Sequence, residues 1–251
     1  MKTLATYSIK GGVGKTTTAV NLAYEAARAG ARVLLWDLDP QGAATFCFRV
    51  KPLVRGGVER LIGDRRALAT NVHATDHAGL HIVPADFSLR HLDLQLDDTK
   101  QPTRRLATLL DELADQYDVA ILDCPPGITL TSESVFTAVD ALLVPTVPTT
   151  LSKRTLDQLS AFLAEFRTDQ PGLPVVMPFA SMVDRRKKLQ RELVTGLVEQ
   201  TPGFLPTVIP NASAVEMMGV QRAPVAVYAP ASPAALAFRQ LWTDVAARLW
   251  D

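Results

Sequence analysis

Apolar residues fall along this chain in two alternating rhythms. Short runs at Leu4–Ile9, Arg32–Trp36, Leu80–Val83, Val119–Leu122, Ala141–Val144 and Val175–Phe179 are largely continuous rather than alternating. Continuous runs of this length predict strands buried on both faces. A shorter stretch at Thr207–Ile209 predicts a further strand. Between the runs, apolar positions recur at helical spacing. Val20, Leu22, Ala23, Ala26 and Ala27 predict a helix from Thr16 to Ala29, stopped by Gly30. Leu106, Leu109, Leu110 and Leu113 predict another over Thr103–Gln116, and helical segments are expected at about 131–139, 152–167, 184–200 and 233–249. Residues 51–79 are patchy, with Gly56, Gly57 and Gly63, and predict short helices and loops. Strands alternating with helices predict one α/β domain over residues 1–251, with a mostly parallel sheet covered by helices on both faces.

Composition narrows this little. The 251 residues are 47% hydrophobic and 21% charged, and Lys+Arg and Asp+Glu both number 26. A formal net charge of zero gives no global pull toward nucleic acid or membrane, so such binding would need a local patch. Cys47 and Cys124 are far apart without metal-ligand spacing, which argues against a disulfide framework or zinc site. No leader-like segment precedes the first strand and no apolar run spans a bilayer, so a cytoplasmic setting without a membrane partner is expected.

The chemistry begins at KGGVGKTT, Lys10–Thr17, between a predicted strand and a predicted helix. Gly11, Gly12 and Gly14 let the backbone curl its N–H groups toward phosphate oxygens, with Val13 and Thr17 completing the cradle. The helix that follows adds the positive end of its dipole. Lys15 can reach the β- and γ-phosphates and the Thr16 hydroxyl can ligate Mg²⁺. Ile9 stands where the strict phosphate-loop pattern has its first glycine, and what remains is a two-lysine loop with Lys10 five residues before Lys15. Two acidic stations follow. The apolar run VAILD ends in Asp123, placed to hold Mg²⁺, as a hydrolytic site requires. Asp37 and Asp39 lie at the carboxyl end of the RVLLW run, where ligands of parallel sheets collect. Asp39 is the candidate for orienting an attacking water and Asp37 for standing nearer the metal. Cys124, Pro125, Pro126 and Gly127 follow Asp123 with no glutamate to polarise water, which predicts slow turnover.

KGGVGKTT at 10–17, DLDPQG at 37–42 and ILDCPPG at 121–127 resemble the ParA/MinD family of deviant Walker ATPases, nearest the ParA branch. VDRRKKLQREL at 183–193, the Thr207–Pro210 segment and Pro224 before the last helix extend the resemblance over nearly the whole chain. It implies ATP and Mg²⁺ as cofactors and a nucleotide-sandwich dimer in which Lys10 reaches the partner's phosphates. It also implies a γ-phosphate-sensing role for 124–127 and an adenine pocket around Pro210. Such proteins bind DNA nonspecifically, are released when a ParB-like or cargo-adaptor protein stimulates hydrolysis, and distribute plasmids, chromosomes or large protein cargoes over the nucleoid.

Arg185, Arg186, Lys187, Lys188 and Arg191 form the best basic cluster for DNA, with Lys153, Arg154 and Arg222 as further candidates. Asp184 and Glu192 offset part of that charge. The family's arginines after the Ile-Pro dipeptide are replaced here by Asn211, Ala212, Ser213 and Ala214. A MinD-like, membrane-associated positioning ATPase is the alternative. The last helix carries Phe238, Leu241, Trp242, Val245, Leu249 and Trp250 on one face, but Arg239, Asp244, Arg248 and Asp251 give no basic excess, so core packing is expected there. His73, His77, His81 and His91 read as surface or loop residues.

Overall fold

The computed structural model describes residues 1–167 and 172–250, so Asp251 of the last helix lies outside the described residues. Eight strands form one sheet: β1 (Lys2–Thr6), β2 (Val33–Asp37), β3 (His73–Ala74), β4 (Leu80–Val83), β5 (Val119–Asp123), β6 (Ala141–Thr146), β7 (Val175–Val183) and β8 (Val208–Pro210). Their order across the sheet is β3-β4-β2-β5-β1-β6-β7-β8. All pairs are parallel except the edge hairpin β3–β4.

The continuous apolar runs have a direct physical cause. On β2, Val33 and Leu35 face one core while Leu34 and Trp36 face the other. β5 divides in the same way, Val119 and Ile121 against Ala120 and Leu122, as does β6. One core is closed by the helices Lys15–Arg28, Ala43–Cys47 and Pro233–Trp250. The other is closed by Leu92–Asp97, Arg105–Asp111, Leu130–Ala138 and Ser152–Arg167. With helices on both sides, neither face of a central strand meets water, so no position needs to be polar.

The terminal helix buries Phe238, Leu241, Trp242, Val245 and Leu249 in the core, whereas Trp250, expected on the same face, is exposed at its end. Among the described residues no helix is long and apolar enough to cross a membrane.

Four boundaries differ from the sequence expectation by more than two residues, one of them the end of β7, which runs to Val183 rather than Phe179. The first strand ends at Thr6 rather than Ile9, because beyond the Thr6–Asp123 pair the chain turns away to form the phosphate loop. The helix expected over Thr103–Gln116 is regular only to Asp111 and continues as turns. The charge-rich helix begins at Lys188, not near 184. Asp184 Oδ1 accepts from the backbone N of Arg186, and the Asp184 N–H donates to Gln190 Oε1, which holds Arg185–Lys187 in a turn.

Candidate active site

Register builds the site. β1, β5 and β2 lie side by side, and their pairing sets Thr6 opposite Asp123 and Asp37 opposite Asp123 at the carboxyl edge. All three side chains are fully buried. A carboxylate without water is costly unless it is partnered, so the hydrogen bonds of each oxygen say what it is for.

Asp123 Oδ1 accepts from Thr6 Oγ1 at 3.2 Å, and the Thr16 side chain is near enough to favour the charged carboxylate. Its Oδ2 is buried with no partner. Burial first, and then the neighbouring Asp37 charge, push Asp123 up to about 8. A buried, orphaned carboxylate oxygen beside a threonine hydroxyl is the donor set a divalent cation takes. Asp123 and Thr16 therefore fit Mg²⁺.

Asp37 differs. Its Oδ2 accepts from the Thr45 N–H at 2.8 Å and the Thr45 hydroxyl at 2.7 Å, and its Oδ1 from the Asp39 N–H at 3.2 Å. The Thr45 hydroxyl in turn accepts from the Ala85 N–H at 2.9 Å. With three donors on its two oxygens, Asp37 anchors the DLDPQG loop beside Asp123. Asp39 is the loop carboxylate that reaches the cleft, with Oδ1 accepting from the Gln41 N–H at 2.9 Å.

The phosphate loop has the curl its glycines foretold. Gly12 has φ +71° and Gly14 φ +96°, left-handed geometry that a side chain would strain. Lys15 is almost completely buried, and its Nζ donates to the Lys10 carbonyl at 3.3 Å. Desolvation lowers its pKa, while Asp123, Cys124 and Asp39 act to raise it. A partly desolvated ammonium held at the bend of a loop is poised for an anion. Gly11, Gly12, Gly14, Lys15, Thr16, Thr17, Asp39, Pro126 and Met182 line a cleft of 360 Å³. Pro210 lines an adjoining pocket of 200 Å³ shared with Gly14, Thr17 and Asn211.

Lys10 is exposed and lies outside the residues lining the phosphate cleft. The basic candidates are dispersed. Arg186 is bidentate with Asp184, Arg191 donates to the Arg185 carbonyl at 2.6 Å, and Lys188 faces Glu192 at 3.6 Å. Lys187 is exposed. Arg222 is held elsewhere, its Nε donating to the Phe46 carbonyl and its guanidinium 4.4 Å from the Phe46 ring.

Three supporting residues were not found by sequence reasoning. The Ser181 hydroxyl, on β7, donates to the Val13 carbonyl at 2.9 Å and braces the loop from 168 positions away. Thr45 anchors Asp37. Tyr7 is fully buried and donates to the Gly127 carbonyl at 2.8 Å. Only Thr45 carried a local signal, since it follows DPQG closely enough for its hydroxyl to turn back on the loop.

A family model described as an AAA domain matches residues 1–173. The chromosome-partitioning ATPase Soj of Thermus thermophilus is 35% identical over 254 residues, covering 100% of this chain and 98% of the relative. The crystal structure of cobyrinic acid a,c-diamide synthase from Mycobacterium smegmatis, with an ATP analogue and magnesium bound, has a TM-score of 0.80. It is 27% identical and the match covers 100% of this chain and 96% of that one. McdA from Cyanothece shares the fold at TM-score 0.84, with 23% identity over 98% of this chain and 99% of that one.

Proposed function

The chain belongs to the ParA/MinD family of P-loop ATPases, and from that premise we propose an ATP-dependent sandwich dimer that binds DNA without sequence preference and positions a cargo. Its reaction is ATP hydrolysis and its cofactors are ATP and Mg²⁺. Lys15, Thr16 and the glycine cradle would hold the phosphates, and Asp123 with Thr16 the metal. When bound there, Mg²⁺ would supply charge neutralisation for the transferring phosphoryl group. Asp39, kept in place by Asp37 and Thr45, orients the attacking water. The 124–127 loop, whose Pro126 lines the cleft, senses the γ-phosphate.

The observation that carries the dimer is the division between the two lysines. Lys15 is buried in its own cleft, whereas Lys10 leaves from the same loop into solvent. A cation so placed cannot serve phosphates held within its own cradle as well as Lys15 does, but it can reach those of a second copy facing it. There it would stabilise developing charge and tie dimer lifetime to an intact nucleotide.

DNA binding is supported by the exposed Arg185–Lys188 turn and the start of the following helix. Asp184 and Glu192 reduce its strength, so the affinity is modest and depends on two copies acting together. The cargo, plasmid, chromosome or large protein assembly, would meet the dimer through a ParB-like or adaptor protein that stimulates hydrolysis. The protein would then be cytoplasmic and nucleoid-associated. The MinD-like membrane reading is less favoured, because the terminal helix packs all of its apolar face but Trp250 into the core.

The test is duplex DNA binding of the purified protein with ATP, ADP or no nucleotide, at two salt concentrations. The proposal expects binding with ATP only, weakening steeply as salt rises. Equal binding in all three states would overturn the link between dimer and DNA.

A further inference from the structure

β1 and β5 are neighbours, and each is followed by a loop that serves the nucleotide. After β1 comes the phosphate loop; after β5 comes Cys124–Ile128. The backbone tie between the two segments ends with the Cys124 N–H donating to the Thr6 carbonyl at 3.4 Å. Beyond that point the two chains separate, and a side chain takes over. Tyr7, the next residue after Thr6, reaches across to donate its hydroxyl to the Gly127 carbonyl at 2.8 Å.

Three features make this tie specific. Tyr7 is fully buried, with its backbone N–H on the Leu143 carbonyl at 2.9 Å, so its origin on the sheet is fixed. Its ring packs in the core edge to face with Phe136, centroids 4.8 Å apart. At the far end, Gly127 has φ +107° and stands beside Pro126, which lines the phosphate cleft with Lys15 and Asp39. The helix after the loop is held independently. Asp93 Oδ1 accepts from the Thr131 N–H at 2.7 Å and its hydroxyl at 2.6 Å, and a Thr129–Ser132 capping box closes the first turn. The loop between Asp123 and Thr129 is therefore fixed at both ends, and Tyr7 holds its middle.

We propose that Tyr7 is a positioning residue for hydrolysis, whose hydroxyl holds the 124–127 loop against the phosphate loop so that the γ-phosphate is read. This rests on the sensing role given to 124–127 above. Without the hydroxyl the ring still fills its place, so the core survives. The Gly127 carbonyl then loses its fixed donor, and the loop samples positions in which Pro126 no longer closes on the cleft.

The experiment compares wild type, Tyr7→Phe and Phe136→Leu for ATP affinity, ADP affinity, single-turnover hydrolysis and melting temperature. For Tyr7→Phe, ADP affinity stays within about twofold of wild type. Its preference for ATP over ADP and its single-turnover rate both fall by about five- to tenfold, the scale of one lost hydrogen bond. Phe136→Leu, which keeps the hydroxyl, melts lower with its ATP preference intact. A Tyr7→Phe protein with wild-type preference and rate overturns the proposal. So does a Phe136→Leu protein that loses preference to the same degree, because the effect would then be general packing. A wild type with no preference for ATP over ADP overturns the sensing role itself, and the Tyr7 assignment with it.

Discussion

Thr45→Val puts the anchoring of the catalytic loop at risk while changing almost no volume. Valine fills the space of threonine, so no cavity forms, but two buried hydrogen bonds vanish. The donation to Asp37 Oδ2 at 2.7 Å is one, and the acceptance from the Ala85 N–H at 2.9 Å is the other. A hydrogen bond to a charged group contributes about 1.5–3 kcal/mol, and an orphaned buried N–H costs about 1–3 kcal/mol. Together they come to roughly 4 kcal/mol, a melting shift on the order of 10 °C for a domain of this size. Thr45→Ser keeps the hydroxyl and should lose only about 1 kcal/mol for a buried methyl group.

The deficit of the valine variant should also depend on pH. Burial raises Asp37 to about 6 against the opposing hydrogen bonds of Thr45. A raised carboxyl pKa means stability that is present at low pH and lost as pH climbs through the folded value. Removing the hydroxyl raises that value further, so the gap between valine variant and wild type widens above about pH 6 and narrows toward pH 5. Denaturant and thermal melts of the three proteins at pH 5 and pH 8 read both effects. Hydrolysis should fall in the valine variant, with the KM for ATP little changed, because Asp39 loses its fixed neighbour. A valine variant as stable as the serine variant at pH 8 would refute the reasoning.

Other substitutions separate the roles in the cleft. Asp39→Ala should bind ATP normally and accumulate as a dimer that does not turn over; fast hydrolysis by it would remove Asp39 from the mechanism. Ser181→Ala takes one buried hydrogen bond from the phosphate loop and should raise the Kd for ATP by roughly fivefold, as titration calorimetry would read. Replacing Lys187 and Lys188 together by alanine should weaken ATP-state DNA binding uniformly across sequences and reduce the slope of log K against log salt by roughly two per protomer. An unchanged salt slope would move the contact elsewhere.

The parts of the site legible in the sequence are those made by neighbours in the chain. KGGVGKTT contains its own curl, and the carboxylates of VAILD and DLDPQG stand at strand ends because the runs before them are continuous and apolar. Register then aligns Asp37 with Asp123 without any further signal in the sequence. What was hidden is whatever one segment does for another at long range. Ser181 lies past the expected strand end at Phe179, and only the longer β7 brings its hydroxyl to the Val13 carbonyl. Tyr7 reads as core until its hydroxyl is seen on Gly127. The anchoring part of Asp37 was hidden in the same way, because Thr45 and the Asp39 N–H supply the donors its oxygens hold. The two-residue edge strand β3 and the short helices between Ser213 and Tyr228 carry too few residues for periodicity to declare.

The central claim is that nucleotide state controls association through Lys10. Sedimentation velocity with Mg²⁺ and ATP, ADP or no nucleotide, on wild type, Asp39→Ala and Lys10→Ala, tests it most directly. The account expects a dimer only with ATP, most persistent in Asp39→Ala, and a monomer for Lys10→Ala even though it still binds ATP through Lys15. A Lys10→Ala protein that dimerises with ATP as wild type does, or a wild type that is dimeric in every state, would contradict it.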